Sequence, residues 1–437
     1  MLHREPVRAP DLLLLVNTWV LCAILLVLAS MYGFSFERGF GNTTTGSLEQ
    51  GISAASVQDS TVARVQNAGM YLICGMLMFP LVRSIGEEFR RDILILALLL
   101  WVLVSAAWSD DASASVTNGI RMSLDVALAF YLCKRYESND LLKILMLVGS
   151  VAAVGSIVLI FIFPQYGLQN RDPLYAFGAW QGIFGHKNIC GSVMALLLLP
   201  AFFVQLDSRP KRKFRILYII VLVIIIGMTR STGAWILCGS SMVFILTMRL
   251  LVKLNRKDSW TVGAMLLGVS VVVSCWIASD PGAFLRIMGK DPGMHGRTAI
   301  WTSLMVAGWQ HPLVGYGYRA FWRGLSGGSA VPILQLKWTG IGYAENGVLE
   351  LWLELGAIGV LLYGMVFLRA AVDAVYCLHR SPSAETMWYS TVLLYTVIGN
   401  LWGGNLLLPS YLQCVLPFVA FVGLRREACR SRSPAFS

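Results

Sequence analysis

The chain has 437 residues, of which 56% are hydrophobic and only 14% charged. A soluble domain carries roughly 25% charged residues, so the composition excludes an ordinary soluble protein. The net charge of +11 invites a nucleic-acid reading, but its distribution along the chain is a membrane-topology signal, and no nucleic-acid partner is expected.

A bilayer-spanning helix needs about 20 mostly apolar residues. The first such run, Leu12 to Ala29, is not followed by a clean small-residue cleavage site, and many apolar runs come after it. It therefore reads as a first span and not as a signal peptide. Twelve apolar segments follow one another, at 11–33, 65–82, 93–108, 119–133, 141–163, 188–206, 214–229, 233–252, 260–278, 347–369, 386–403 and 406–424. The fold class expected is an all-α polytopic membrane protein with about twelve transmembrane helices. It divides into helices 1–9 (residues 1–278), a loop with an amphipathic helix (279–346), helices 10–12 (347–424) and a basic tail (425–437).

Alternate connections are basic: "VRSIGEEFRRD", "CKRYESND", "DSRPKRKFR", "RLLVKLNRKDS", "CLHRSPSAE" and "RREACRSRS", together with Arg4 and Arg8. They hold most of the Lys and Arg, which marks the cytoplasmic side and puts both termini there. The same charges can meet anionic lipid. On the other side lie 34–64, rich in Ser, Thr, Gly and Gln, and the longer 279–346. Within the latter, "RTAIWTSLMVAGW" places Ile300, Trp301, Leu304, Met305, Gly308 and Trp309 on one helical face. That pattern predicts an amphipathic helix on the membrane surface, with a small core helix of the loop as the alternative. "HPLVGYGYRAFW" reads as a glycine-rich turn. The nine cysteines show no CxxC pair and no metal-like spacing, and read as small core hydrophobes.

Few charges remain on the outer side. Arg230 occupies "GMTRSTGAW", a very short turn between two spans. It reads either as an Arg snorkelling to headgroups or as an anion site, since a guanidinium meets phosphate bidentately. Arg297 opens the amphipathic helix, where free N–H groups and the dipole favour an anion; a solvated Arg is the alternative. Two arginines flanking an outer cavity suit a diphosphate. His186, Lys187 and Asn188 stand in "WQGIFGHKNICG", with Asn188 as the expected helix cap. Asp110 and Asp111 in "WSDDAS" read as a capped helix start sooner than a metal pair. Glu345 lies at the start of a span in "GIGYAENGVLELWLELGAIG". A helix N-terminus welcomes a carboxylate, and this one is also placed to meet a water-soluble substrate. Glu350 and Glu354, four residues apart, are expected to face a polar bundle interior or to pair with an Arg. Arg319 and Arg121 are weaker anion-site candidates. His295 and His311 are the other outer histidines.

"AAWSDDASAS", "GIFGHKNICG", "MTRSTGAW", "GRTAIW…HPLVGYG" and "ENGVLELWLELGAIG" together resemble, in order and membrane position, the O-antigen ligase and Wzy/ExoQ-type polysaccharide polymerase superfamily. The resemblance covers roughly residues 100–400. It implies a GT-C-like, metal-independent membrane glycosyltransferase without a cofactor, acting at the periplasmic face of the bacterial inner membrane. It further implies a saccharide on undecaprenyl diphosphate as donor, and a chain-length regulator and flippase of the same pathway as partners. The family's diphosphate-holding arginines match Arg230 and Arg297, and the remaining outer polar residues, His186, Lys187, Asn188, Arg319 and Arg121, are expected to contact substrate. The family often carries His-Asn where this chain has Glu345-Asn346, so Glu345 takes the position of a proposed base, with Asn346 helping to orient it. A positioned carboxylate can accept a hydroxyl proton as a histidine does.

The expected function is polymerisation of lipid-linked repeat units, as in exopolysaccharide or O-antigen chain growth. The alternative is a ligase that moves glycan to lipid A–core or protein. A transporter would show inverted repeats and broken helices near the midplane, which the sequence does not display. A purely structural subunit would not need Arg230, Arg297 and Glu345 on one side.

Overall fold

The computed structural model describes residues 11–30, 61–169, 178–253, 297–336, 342–380, 382–401, 403 and 406–432. The expected span at 260–278, the outer stretch 34–64 and the loop segment 279–296 lie outside these residues.

The described chain is helical almost throughout. The helices are α1 (Asp11–Ser30), α2 (Thr61–Met78), α3 (Val82–Arg91), α4 (Ile93–Val104), α5 (Ala112–Arg135), α6 (Ser138–Ile162) and α7 (Lys187–Leu198). They continue with α8 (Arg209–Met228), α9 (Thr232–Lys253), α10 (Arg297–Gly308), α11 (Ala330–Leu336), α12 (Gly347–Arg380), α13 (Ala384–Gly399) and α14 (Leu412–Arg432). A two-residue antiparallel pairing, β1 (Leu168–Gln169) with β2 (Ala179–Trp180), closes the connection before α7. Among the described residues, four helical stretches are long and apolar enough to cross a membrane: Asn67–Arg91, Ser138–Ile162, Thr232–Lys253 and Gly347–Arg380. With the shorter apolar helices around them, the chain is an all-α, multi-pass membrane protein.

Local chemistry sets where the helices begin. Asp111 caps α5 by accepting the Ala114 N–H at 3.0 Å, and Ser383 caps α13 by accepting that of Thr386 at 3.1 Å. Pro210 sits in the first turn of α8, where its missing N–H costs nothing.

The centre of the bundle is α14, packed against α5, α12 and α13. From Cys414 to Leu424 every residue is buried, so this helix is apolar all round and enclosed by others. Gly423 lies under the Tyr389 ring, where a Cβ would stand 2.3 Å from a ring carbon. Small residues allow such close approach between membrane helices. The sequence assigns 425–437 to a separate tail, yet α14 continues through Arg432. Arg425 pairs with Asp92, Arg426 with Glu88, and Arg432 with Asp373 at 3.2 Å. Each arginine thus fastens the end of α14 to a neighbouring helix.

Two spans are shorter than hydropathy predicts. The last predicted span opens with a non-helical stretch: residues 406–411 are buried but not helical, with Pro409 among them, and α14 begins only at Leu412. Helix α10 buries one face within the protein. Ile300, Leu304 and Ala307 are buried against Tyr316, Phe321, Ala344 and Leu353, whereas Met305 and Trp309 are exposed. The buried face packs on the loop and on Leu353 of α12, and the opposite face keeps the apolar Met305, Val306 and Trp309 exposed.

Candidate functional site

The site begins with a break in α12. Gly356 has φ 66° and ψ −172° in the middle of that helix. The glycine-rich turn fills the break. Tyr316 and Gly317 donate their N–H groups to the carbonyls of Leu353 and Glu354, at 2.9 and 3.0 Å. The N–H groups of Ala357 and Ile358 return to the carbonyls of Pro312 and Leu313, at 2.9 and 3.2 Å. Indole N–H groups of Trp352 and Trp108 hold the turn itself, through the carbonyls of Pro312 and Val314 at 2.9 and 3.2 Å. Non-helical backbone is tolerated at membrane depth only where protein satisfies it, and here the loop and the helix satisfy each other. Gly317 presses on Ser109, where a Cβ would come within 2.4 Å. The "WSDDAS" segment thereby joins the same cluster, with Asp110 donating its backbone N–H to the Tyr316 carbonyl at 3.1 Å and Asp111 pairing with Arg323.

The docked loop delivers Arg319 to two carboxylates. Arg319 Nη1 lies 3.2 Å from Glu354 Oε1 and 3.7 Å from Glu350 Oε1. Both glutamates are buried, and the Arg319 side chain is 15% exposed. The pairing holds a cation where two acids would otherwise be stranded in a low-dielectric interior. Arg319, expected as a substrate contact, is ion-paired in this cluster. It also lines a small cleft beside the cluster, together with Gly347, Leu351 and Leu406–Leu408.

At the start of α12, Asn346 is the helix cap. Its Oδ1 accepts the N–H groups of Val348 and Leu349 at 3.1 and 3.0 Å. Glu345 itself is half-buried with φ 51°, a left-handed conformation uncommon outside glycine. The residue before it is clamped twice: Ala344 N–H donates to Glu350 Oε2 at 2.6 Å, and its carbonyl accepts Trp301 Nε1–H at 2.9 Å. Trp301 stands one turn along α10 from Arg297, roughly 6 Å of helix rise. The Arg297 side chain lies outside the described residues, as does His295. His311 is exposed and meets the Tyr316 ring edge-on, with centroids 4.6 Å apart.

Arg230 has φ 50° and is exposed, while its neighbours Thr229 and Ser231 are buried. The turn is fixed around it. Thr229 Oγ1 donates to the Ile226 carbonyl at 2.7 Å, and Ser231 Oγ accepts the Ala234 N–H at 3.4 Å. This turn packs on α7 at Gly191, where a Cβ would lie 2.5 Å from Ala234 Cβ. The cap of α7 is His186, whose Nδ1 accepts the Asn188 N–H at 3.1 Å. Asn188, expected as the cap, is instead the second helical residue and is exposed. Lys187 donates its backbone N–H to Gln169 Oε1 at 3.0 Å. Contact continues from α9 through Leu237 to Gly399, and from Asn400 to Gly347, whose N–H it accepts at 2.9 Å. His186, Arg230 and Glu345 thus stand at helix ends linked by a chain of direct contacts.

Arg121 reaches Asn118 at 3.3 Å on its own helix. One turn below it, Asp125 is 1% exposed and was not singled out by the sequence. Its carboxylate accepts Tyr71 O–H at 3.0 Å and Ser410 N–H at 2.6 Å, and Ser410 has φ 68°. A lone acid inside "RMSLDVALAF" was the available signal. Among the described residues, no group of three or more His, Cys, Asp or Glu is placed to hold a metal ion, and the described cysteines form no disulfide with one another.

Residues 216–364, from α8 through the first half of α12, match the family described as O-antigen ligase. The chain is also similar to the exopolysaccharide production protein ExoQ of Rhizobium meliloti (strain 1021). The two are 24% identical over 341 residues, covering 73% of this chain and 75% of the relative. Both similarities support the O-antigen ligase and Wzy/ExoQ-type superfamily that the sequence motifs resemble.

Proposed function

We propose that the chain is a polysaccharide polymerase that joins oligosaccharide repeat units carried on undecaprenyl diphosphate. The similarity to a protein named for exopolysaccharide production supports this reading. The charge asymmetry supports a bacterial inner-membrane protein of about twelve spans, with cytoplasmic termini and the Glu345 end at the periplasmic face. The observation that carries the reading is the backbone at Glu345. A non-glycine residue held at φ 51°, between a doubly clamped alanine and a helix cap, stores strain that ordinary packing does not require. Arg230 sits in a second strained turn, at φ 50°, at a linked helix end.

In this reading the acceptor hydroxyl oxygen attacks the anomeric carbon of the donor sugar. Its proton passes to the Glu345 carboxylate as the new glycosidic bond forms. The bond from the anomeric carbon to the diphosphate oxygen breaks, and undecaprenyl diphosphate leaves with the electron pair. The guanidinium groups of Arg230 and Arg297 stabilise the charge that develops there. His186 and Lys187 stand beside the path of the glycan.

The test is Glu345→Gln, which keeps size but removes the base. Lipid-linked repeat units extracted from a deletion strain are offered to purified protein at matched folded amounts. Polymer formation should fall at least about 100-fold, and Glu345→His should retain part of it. Equal rates for wild type and Glu345→Gln would refute the assignment. The family description also favours a ligase. A deletion strain that loses polymer but keeps single transferred repeats identifies a polymerase; loss of both identifies a ligase.

A further inference from the structure

We infer that Glu350 is a positioning residue for Glu345, reaching back across the helix cap to fix the backbone that carries it. The inference rests on the reading of Glu345 as the base. Glu350 lies in the first turn of α12, and its own N–H donates to the Asn346 carbonyl at 2.9 Å. Its side chain does not end at the free N–H groups of that turn, as an ordinary helix-start carboxylate would. It extends past Asn346 and Glu345 and accepts the Ala344 N–H at 2.6 Å. Residues 344–350 thereby close into a ring, with Glu345 at its strained member.

Both carboxylate oxygens are used. While Oε2 holds Ala344, Oε1 accepts Trp322 Nε1–H at 2.7 Å and faces Arg319 at 3.7 Å. Ala344 is fully buried and Glu350 is 4% exposed, so no water stands ready to replace a lost acceptor. Trp322 and Arg319 come from the docked loop. The loop thus reaches the backbone before Glu345 through the Glu350 carboxylate, alongside the bond from Trp301 to the Ala344 carbonyl. Glu354 is the internal comparison: it shares Arg319 at 3.2 Å but touches no backbone near Glu345.

Glu350→Gln exposes the difference. An amide has one acceptor oxygen, so either Ala344 N–H or Trp322 N–H then faces an NH₂ group. A charge-assisted hydrogen bond typically accounts for a factor of about 10–100. Hydrogen exchange of the peptide spanning 342–349 should accelerate by that factor in Glu350→Gln, while peptides beyond Gly356 keep their protection. The kcat for polymer formed from extracted lipid-linked repeats should fall, with KM for the lipid-linked donor unchanged. In Glu354→Gln, exchange at 342–349 should stay at the wild-type rate. If Glu350 served only to neutralise Arg319, the two variants would show the same exchange, and the inference would fall.

Glu350→Asp covers the case in which the Gln variant does not fold. It keeps the charge that Arg319 needs but withdraws the carboxylate by one methylene from Ala344. It should show the same faster exchange and lower kcat, and wild-type values for both overturn the inference. Loss of activity in Glu345→Gln with normal exchange and kcat in Glu350→Asp removes the positioning role alone. Full activity in Glu345→Gln removes the catalytic reading, whatever the exchange at 342–349.

Discussion

Replacing Gly356 with alanine tests the broken helix most directly. Its backbone, φ 66° and ψ −172°, falls in a region essentially reserved for glycine, and a side chain there costs about 1–3 kcal/mol. An added Cβ would also stand 2.2 Å from the Leu313 carbonyl carbon and oxygen and 2.4 Å from the Val314 nitrogen. These are backbone atoms, so no rotamer change relieves the clash. The loop must move, at a further cost of about 1–3 kcal/mol for overpacking. The sum is about 2–6 kcal/mol. Movement would also disturb the bonds from Ala357 and Ile358 to Pro312 and Leu313. Gly364 on the same helix is the control, because nothing lies within 4 Å of a Cβ added there. Gly364→Ala should be neutral or gain up to about 1 kcal/mol. Thermal unfolding of both variants in detergent decides the matter. Gly356→Ala should melt several degrees lower and Gly364→Ala no lower than wild type. Equal melting of the two would refute the docked loop.

Lysine at Arg230 or Arg297 should restore activity only partly relative to alanine, since a point charge replaces a bidentate fork; polymer yield against donor concentration measures this. Asp125→Asn should lower stability by about 1–3 kcal/mol, because one acceptor oxygen replaces the two that serve Tyr71 and Ser410. Detergent denaturation against wild type reads the loss, and Asn behaving as wild type would show that one of these bonds is dispensable.

The helices were legible wherever apolar length and punctuation agree. Hydropathy could not show that α14 is the central helix, because apolar residues face protein and lipid alike. Nor could it separate the buried non-helical stretch 406–411 from a span, since leucines dominate both. The pairing of Glu350 and Glu354 with an arginine was readable from the cost of acids in a membrane. Which arginine was not: Arg319 comes from a loop that hydropathy places outside. Gly356 in "ELGAIG" looks like one more small residue in a span, and only its φ angle marks the break. The caps show a limit of another kind. Asn188 and His186 both carry an acceptor at a helix start, and the first turn registers on whichever adopts the extended backbone, here His186 with φ −156° and ψ 142°.

The geometry links residues far apart along α12. A break at Gly356 leaves backbone groups in need of partners, and the turn at 312–317 supplies them. Because the turn docks there, Arg319 arrives beside Glu350 and Glu354. An arginine in that place permits two acids to remain inside a membrane protein, where an unpaired charge would be costly. One of the acids then holds Ala344, and with it the strained backbone of Glu345. Each step makes the next affordable, and removing the first undoes the rest. The break lies about three helical turns from Glu345, yet shifting the turn from Gly356 would free Arg319 and unseat Glu350. Gly356→Ala is therefore expected to lower turnover as well as stability, although Gly356 touches no proposed substrate group.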